Sequence, residues 1–173
     1  MRVLRLSLQL TVFCMVFLFI ACASTTQFST IWKDETYQGH PEKILVINSF
    51  PNPAARRIFE DEFVSGLKER GIDAVMSYTI MPAPIVSDKD AIVAKAKEVN
   101  ADAVLLSSSS GPKMDEIGNR YITTQTEVYN MKSNKLIFSA TAKIELQQAT
   151  PYLNEIQSNV KDLLNQLLRL GLI

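Results

Sequence analysis

Apolar positions along this chain fall into three kinds of pattern. From Leu6 to Ala21 they are nearly continuous, broken only by Ser7, Gln9 and Thr11 and by no charge. At Lys43–Phe50 (KILVINSF) they form a short β-rich run, as expected of a strand buried on both faces; Asp73–Ile80 (DAVMSYTI) reads as a second strand, and Ala101–Ser110 (ADAVLLSSSS) as a third, apolar at first and polar at its tip. Between these runs the spacing becomes helical. Phe59, Phe63 and Leu67 recur every four residues, and Ile58 and Val64 widen the stripe. Asn52 is placed to cap this helix, Pro53 suits its first position, and Gly71 suits a left-handed end. Arg56 with Glu60 and Arg57 with Asp61 lie one turn apart, which predicts two ion pairs on the solvated side. A second helix is predicted after Ser87-Asp88-Lys89-Asp90, which approximates a capping box. Its inward residues are Ile92, Val93, Ala96 and Val99, and it ends near Asn100. This β-α-β-α-β order implies parallel strands joined by right-handed crossovers.

The second half changes period. RYITTQTEVYNM (residues 120–131) and KLIFSATAKIEL (residues 135–146) read as strands joined by a tight turn at Lys132–Lys135. In the second strand Leu136, Phe138, Ala140, Ala142, Ile144 and Leu146 share one face. Ile137, Ser139, Thr141, Lys143 and Glu145 share the other, the alternation of a sheet with one solvated side. Thr150-Pro151 then opens a long helix with Leu153, Ile156, Val160, Leu163, Leu164, Leu167 and Leu168 on one stripe. The expected fold is a single α/β domain of α+β character over residues 43–173. Its mixed sheet and packed helices follow the order β-α-β-α-β-β-β-α. Residues 22–42, with Trp32, Tyr37, Gly39 and Pro41, read as a polar, irregular tether ahead of it. Trp32 and Tyr37 can pack that tether onto the domain or meet a partner.

The apolar start now needs an explanation. Met1-Arg2-Val3-Leu4-Arg5 carries two cations and no acid, and the uncharged core from Leu6 to Ala21 falls short of the ~20 residues that span a bilayer. A cationic start, a short apolar core and small residues at its end make a secretory signal peptide, with an uncleaved anchor as the other reading. Removing residues 1–21 takes Arg2 and Arg5, two of 18 basic side chains, and none of the 18 acidic ones. The remainder is close to neutral and about the length of one ordinary domain. It has no basic field for nucleic acid.

Cysteine usage sharpens the picture. Cys14 and Cys22 are the two cysteines, and Cys14 leaves with the leader. Phe19-Ile20-Ala21-Cys22 resembles the lipobox of bacterial lipoproteins, departing from it at Phe19, where the pattern most often has Leu. The resemblance implies that the Cys22 sulfur takes a diacylglyceryl group, that the leader is cut just before it, and that the freed amine is often acylated too. Two or more acyl chains give stable anchoring where one gives marginal binding. Ala23 stands where Asp would signal inner-membrane retention, so the resemblance implies the outer membrane, with the domain facing the periplasm. No cysteine is then left for a disulfide, a nucleophile or a metal, and His40 is the one histidine. No cofactor is expected.

The element order also resembles the small α/β domains of the TolB amino-terminal domain and the curli secretion lipoprotein. The stretch KILVINSF…RRIFEDEFVSGLKERGIDAVMSY…ADAVLL is similar to a group of bacterial envelope lipoproteins of about this length. The resemblance covers roughly residues 31–170, and its motifs are core pattern and helix ends, so it implies fold rather than activity.

Candidate chemistry is sparse. In parallel α/β folds ligands gather at the carboxyl ends of strands and helix N-termini attract anions, which selects Asn48, Ser49, Asn52, Arg56 and Arg57 as a possible ligand site. That turn has no glycine, no GxGxxG and no P-loop, and each arginine has an acidic residue one turn on. Ser107–Ser110 followed by Gly111 lacks a G-x-S-x-G elbow and a base, and reads as a polar loop; His40 lies in the leading segment. Asp102, Asp115, Glu116, Glu127 and Glu145 show no paired spacing, and Asp102 reads as a turn residue. Leu167, Leu168, Leu170, Leu172 and Ile173 make the last helix mostly core, with a tip that can dock on a protein. The functional expectation is a non-enzymatic, lipid-anchored envelope protein. It works through contacts with an envelope protein partner in assembly, maintenance or export. The alternative is a periplasm-facing module for a small ligand or anion at the strand-tip loops.

Overall fold

A computed structural model describes residues 26–81, 88–147 and 153–173. Cys14, Cys22 and the Thr150-Pro151 helix start lie outside the described residues. The strands are β1 (Thr26–Lys33), β2 (Lys43–Asn48), β3 (Asp73–Met76), β4 (Ala103–Ser109), β5 (Lys113–Met114), β6 (Arg120–Asn130) and β7 (Lys135–Leu146). Helices α1 (Pro53–Lys68), α2 (Lys89–Glu98) and α3 (Leu153–Arg169) accompany them. One mixed sheet runs β1-β7-β6-β4-β2-β3, with β5 paired to β6. Strands β3, β2 and β4 are parallel, and the other pairs are antiparallel.

The expected class holds and the element order matches roughly, with two added strands, β1 ahead of the expected elements and the short β5 between β4 and β6. Thr26–Lys33 was expected to be irregular tether, but it pairs antiparallel with β7 from Thr26↔Ile144 to Lys33↔Phe138. The strand was hard to see because it is an edge, exposed on much of both faces. Without burial its sequence carries no period-2 signal. Tyr37 packs against the main core, as one of the two expected roles required, while Trp32 is left 46% exposed.

From β2 the chain moves to β3 on one side and then to β4 on the other. Equal handedness for crossovers in opposite directions puts their helices on opposite faces. Accordingly α1 and α3 cover one face, with Phe59, Phe63, Leu67, Ile156, Leu163 and Leu167 against Ile44, Val46 and Leu105. Ile92 and Ala96 of α2 meet Leu45, Ile47 and Val104 on the other. Asn52 caps α1 by accepting from Ala54 N at 2.9 Å and Ala55 N at 3.3 Å. Gly71 closes it with φ +81°, with Ile72 N donating to Leu67 O at 3.1 Å. At α2 the cap is Asp88, which accepts from Ala91 N at 3.0 Å. It sits one residue later than the Ser87 capping box predicted, and Ser87 lies outside the described residues.

Two local readings are corrected. β7 shifts register between Val128 and Tyr129 of its partner, leaving Ile137 the extra residue. Ile137 is therefore buried and Leu136 only half-buried, the reverse of the strict alternation. On α3, Leu168 is 52% exposed, while Leu172 beyond the helix folds back to burial.

Helices α1 and α3 touch at Gly66, where an added Cβ would lie 2.3 Å from Leu164 Cδ1. Leu164 is itself buried, so it has little room to yield. Gly66→Ala is expected to cost about 1–3 kcal/mol, despite alanine's better helix propensity. Chemical denaturation checks this, and a variant more stable than the parent would show that the helices separate freely.

Candidate functional site

The carboxyl ends of β2 and β4 form the switch point of the sheet, where α/β folds place ligands. All five predicted residues gather at this turn. Their polar atoms, however, are largely committed inward. Asn48 is fully buried; its N–H donates to Glu60 Oε1 at 3.0 Å and its Oδ1 accepts from Phe50 N at 2.8 Å. Ser49 donates through its backbone N–H to Ser107 O at 2.9 Å, and through Oγ to the same oxygen at 3.4 Å. Asn52 is occupied as the helix cap.

Of the two arginines, Arg56 is turned inward while Arg57 stays exposed. Arg56 was expected on the solvated side, yet it is 6% exposed and Glu60 is fully buried. Arg56 Nε donates to Glu60 Oε1 at 3.1 Å, and Nη2 donates to Ser77 Oγ at 2.8 Å and Met81 O at 3.4 Å. Glu60 Oε1 also accepts from Ser77 Oγ at 2.7 Å, and Oε2 accepts from Tyr78 N at 3.0 Å. Burying the ion pair is possible because these groups satisfy it, and one carboxyl thereby ties α1 to β2 and to the turn after β3. Arg57 lies over the Tyr78 ring, 5.4 Å from its centroid. The predicted Arg57 partner, Asp61, instead accepts from Tyr78 OH, and that bond followed by burial raises the Tyr78 pKa.

Ser107–Ser109 belong to β4, so the predicted polar loop is mostly strand. Ser107 is buried and its Oγ lies 3.1 Å from Thr126 Oγ1. Asn48, Ser107 and Thr126 stand side by side in register across β2, β4 and β6, a polar row inside the face that α1 and α3 cover. From α3, Glu155 and Asn159 are buried as well. Glu155 Oε1 accepts from Gln147 N at 3.1 Å. Asn48 Nδ2, Glu155 Oε2 and both amide atoms of Asn159 have no hydrogen-bond partner among the described residues. An unpaired buried amide is costly, so Asn159→Leu is expected to raise the unfolding free energy by about 1–3 kcal/mol. Denaturant melts test this; a loss of stability would mean that solvent or a ligand satisfies Asn159.

Three hollows border these elements, and a surface groove of about 560 Å³ along α1 and α3, with Glu62, Arg70, Gln157 and Lys161 in its wall, is the largest of the three. One of about 110 Å³ at the strand tips is lined by Phe50, Pro51, Asn52, Ser109, Ser110 and Ile122, among others. It is small against the ~300–1,000 Å³ of small-molecule sites. Another, about 210 Å³, lies beside α2 with Lys89, Ile92, Leu106, Glu127, Tyr129 and Met131 in its wall. There Tyr129 OH donates to Glu127 Oε2 at 2.9 Å; burial first, then this bond, pushes the Tyr129 pKa up to about 12. Such a phenol holds its proton. Among the described residues no group of three His, Cys, Asp or Glu side chains is placed to hold a metal ion. His40 is exposed in the segment between β1 and β2, and Asp102 accepts from Glu42 N and Lys43 N at 2.9 and 3.0 Å, fastening the start of β2.

This fold has solved counterparts. PelC from Paraburkholderia phytofirmans, solved as a dodecamer, matches with a TM-score of 0.56 at 19% identity, over 80% of this chain and 96% of its own. Lipoprotein GNA1162 from Neisseria meningitidis matches with a TM-score of 0.51 at 16% identity, over 75% of this chain and 99% of its own. At these identities the likeness is one of fold. No protein-family model and no curated protein matches the sequence.

Sequence reasoning missed Glu60, Ser77 and Asn159 as buried polar residues. For the first a signal existed: Arg56, Glu60, Phe63 and Leu67 recur at helical spacing, so Glu60 lies on the apolar stripe itself.

Proposed function

We propose that this chain is a lipid-anchored envelope protein. Cys22 carries the acyl chains, the outer membrane holds it, and the domain faces the periplasm. It acts through protein contacts in envelope assembly, maintenance or export rather than by catalysis. The observation that carries this reading is the lipobox-like Phe19–Cys22, set four residues before the first strand of a fold that a solved lipoprotein shares. The buried, paired Arg56 and the small strand-tip hollow weigh against the anion-binding alternative.

Protein contact is supported by β1, an open sheet edge with Ile31 39% and Trp32 46% exposed, and by the dodecamer in which PelC was solved. Two measurements test the reading. Mass spectrometry of the mature protein should find an acylated Cys22 as the first residue. A photoreactive residue in place of Trp32, activated in intact envelopes, should crosslink to another envelope protein or a second copy. An unmodified N-terminus refutes the anchor, and a chain that crosslinks to nothing refutes the contact role.

A further inference from the structure

One end of the sheet gathers features that the fold does not require. The chain joins the sheet at Thr26, which pairs with Ile144, and Ile144 pairs with Ile122 of β6. Two residues nearer that end, Arg120 of β6 pairs with Met114 of β5. β5 occupies the lane of β4, because both pair with the side of β6 that β7 leaves free. The Asp115–Asn119 turn beyond it therefore projects past the level of Thr26. Three strand spacings separate the two lanes, about 14 Å.

The turn is pinned by hydrogen bonds. Asp115 Oδ1 accepts from Asn119 N at 2.8 Å and Ile117 N at 3.2 Å, Gly118 takes φ +88°, and Lys143 Nζ lies 3.6 Å from Asp115. On this built hairpin Ile117 is 84% and Met114 69% exposed, the two most exposed large apolar side chains among the described residues. The neighbouring strand-tip loops, Ser49–Ala55 and Ser107–Pro112, contain no charged residue, and Pro51–Ala54 are exposed. Lys113 and Arg120 are balanced by Asp115 and Glu116, so this end carries no strong field of either sign.

We infer that this end of the domain rests on the bilayer, with Met114 and Ile117 inserted at the interface of the leaflet that holds the Cys22 acyl chains. The inference rests on the anchor reading above. Cys22 lies four residue steps before Thr26, a span of at most about 14 Å even when fully extended. The lipid thus keeps the Thr26 end of the sheet close to the membrane, and the hairpin projects beyond Thr26 in the same direction. Apolar side chains seated about 5–10 Å into the headgroup boundary suit a surface without net charge. Lipid and hairpin together would hold the domain at two separated points and so fix its tilt.

The test uses the purified acylated protein in vesicles of zwitterionic phospholipid. With Cys14 removed and Cys22 blocked by acylation, a thiol introduced by Ile117→Cys takes an environment-sensitive fluorophore alone. Lys132→Cys, on the exposed β6–β7 turn at the opposite end, supplies the comparison. A lipid-borne quencher is expected to quench the label at 117 several-fold more than that at 132, with a blue-shifted emission at 117 only. Equal quenching in acylated, vesicle-bound protein overturns this inference alone, and assigns the hairpin to a protein or a second copy. A chain that lacks acyl mass and does not float with vesicles overturns the anchor reading together with it.

Discussion

Glu60→Ala is expected to lower the unfolding free energy by about 3–5 kcal/mol, the range for breaking a buried ion pair from one side. The substitution strands the Arg56 guanidinium in a site where it is 6% exposed, and it removes the acceptor of Asn48 N, Ser77 Oγ and Tyr78 N. For a domain of this size the midpoint of thermal unfolding should fall by roughly 10 °C. Arg56→Met should cost less, because the carboxyl keeps its two backbone donors and the serine hydroxyl. Glu60→Gln should fall between parent and alanine, since an amide oxygen still accepts. Combining Arg56→Met with Glu60→Gln should cost less than the sum of the two, as partners in one network are coupled. Thermal melts of the four variants decide the matter. Equal small losses throughout would mean that solvent reaches the pair.

The same residues show how much of the fold was legible. Period-2 and period-3.6 patterns placed β6, β7, α1 and α2 closely, because each element buries one face and the burial leaves its period in the sequence. β1 left none, since an edge strand exposed on both faces is free to be polar, and its pairing depends on a partner more than a hundred residues away. Ile137 was misplaced for a different reason. A bulge costs one residue of register, and no local signal marks it. At the site, the sequence located the strand-tip turn but assigned Arg56 to solvent. Ion-pair spacing is the same whether the pair is wet or dry; what separates the two cases is the turn after β3, which supplies Ser77 and the Tyr78 amide from beyond the helix. Met114 and Ile117 drew no attention in sequence, as two apolar residues in a polar stretch break no periodicity.

Cys22→Ser should abolish lipid attachment to the outer membrane, and this is the largest functional effect expected of any single substitution here. A serine hydroxyl is not the thiol that the lipobox resemblance makes the acyl acceptor, and without acylation the leader is not cut at that point. Each buried acyl CH₂ contributes about 0.8 kcal/mol, so two or more chains hold the protein far more firmly than the hairpin's two side chains can. The variant should therefore lack acyl mass, keep an unprocessed N-terminus, and leave the outer-membrane fraction. The domain itself should be unchanged: Cys22 precedes β1, so the thermal melt of the folded part should match the parent. The pairing of the two results is what discriminates. Loss of anchoring with an unaltered melt assigns Cys22 to attachment; a variant that still fractionates with the outer membrane would place the attachment in the domain and its partners instead.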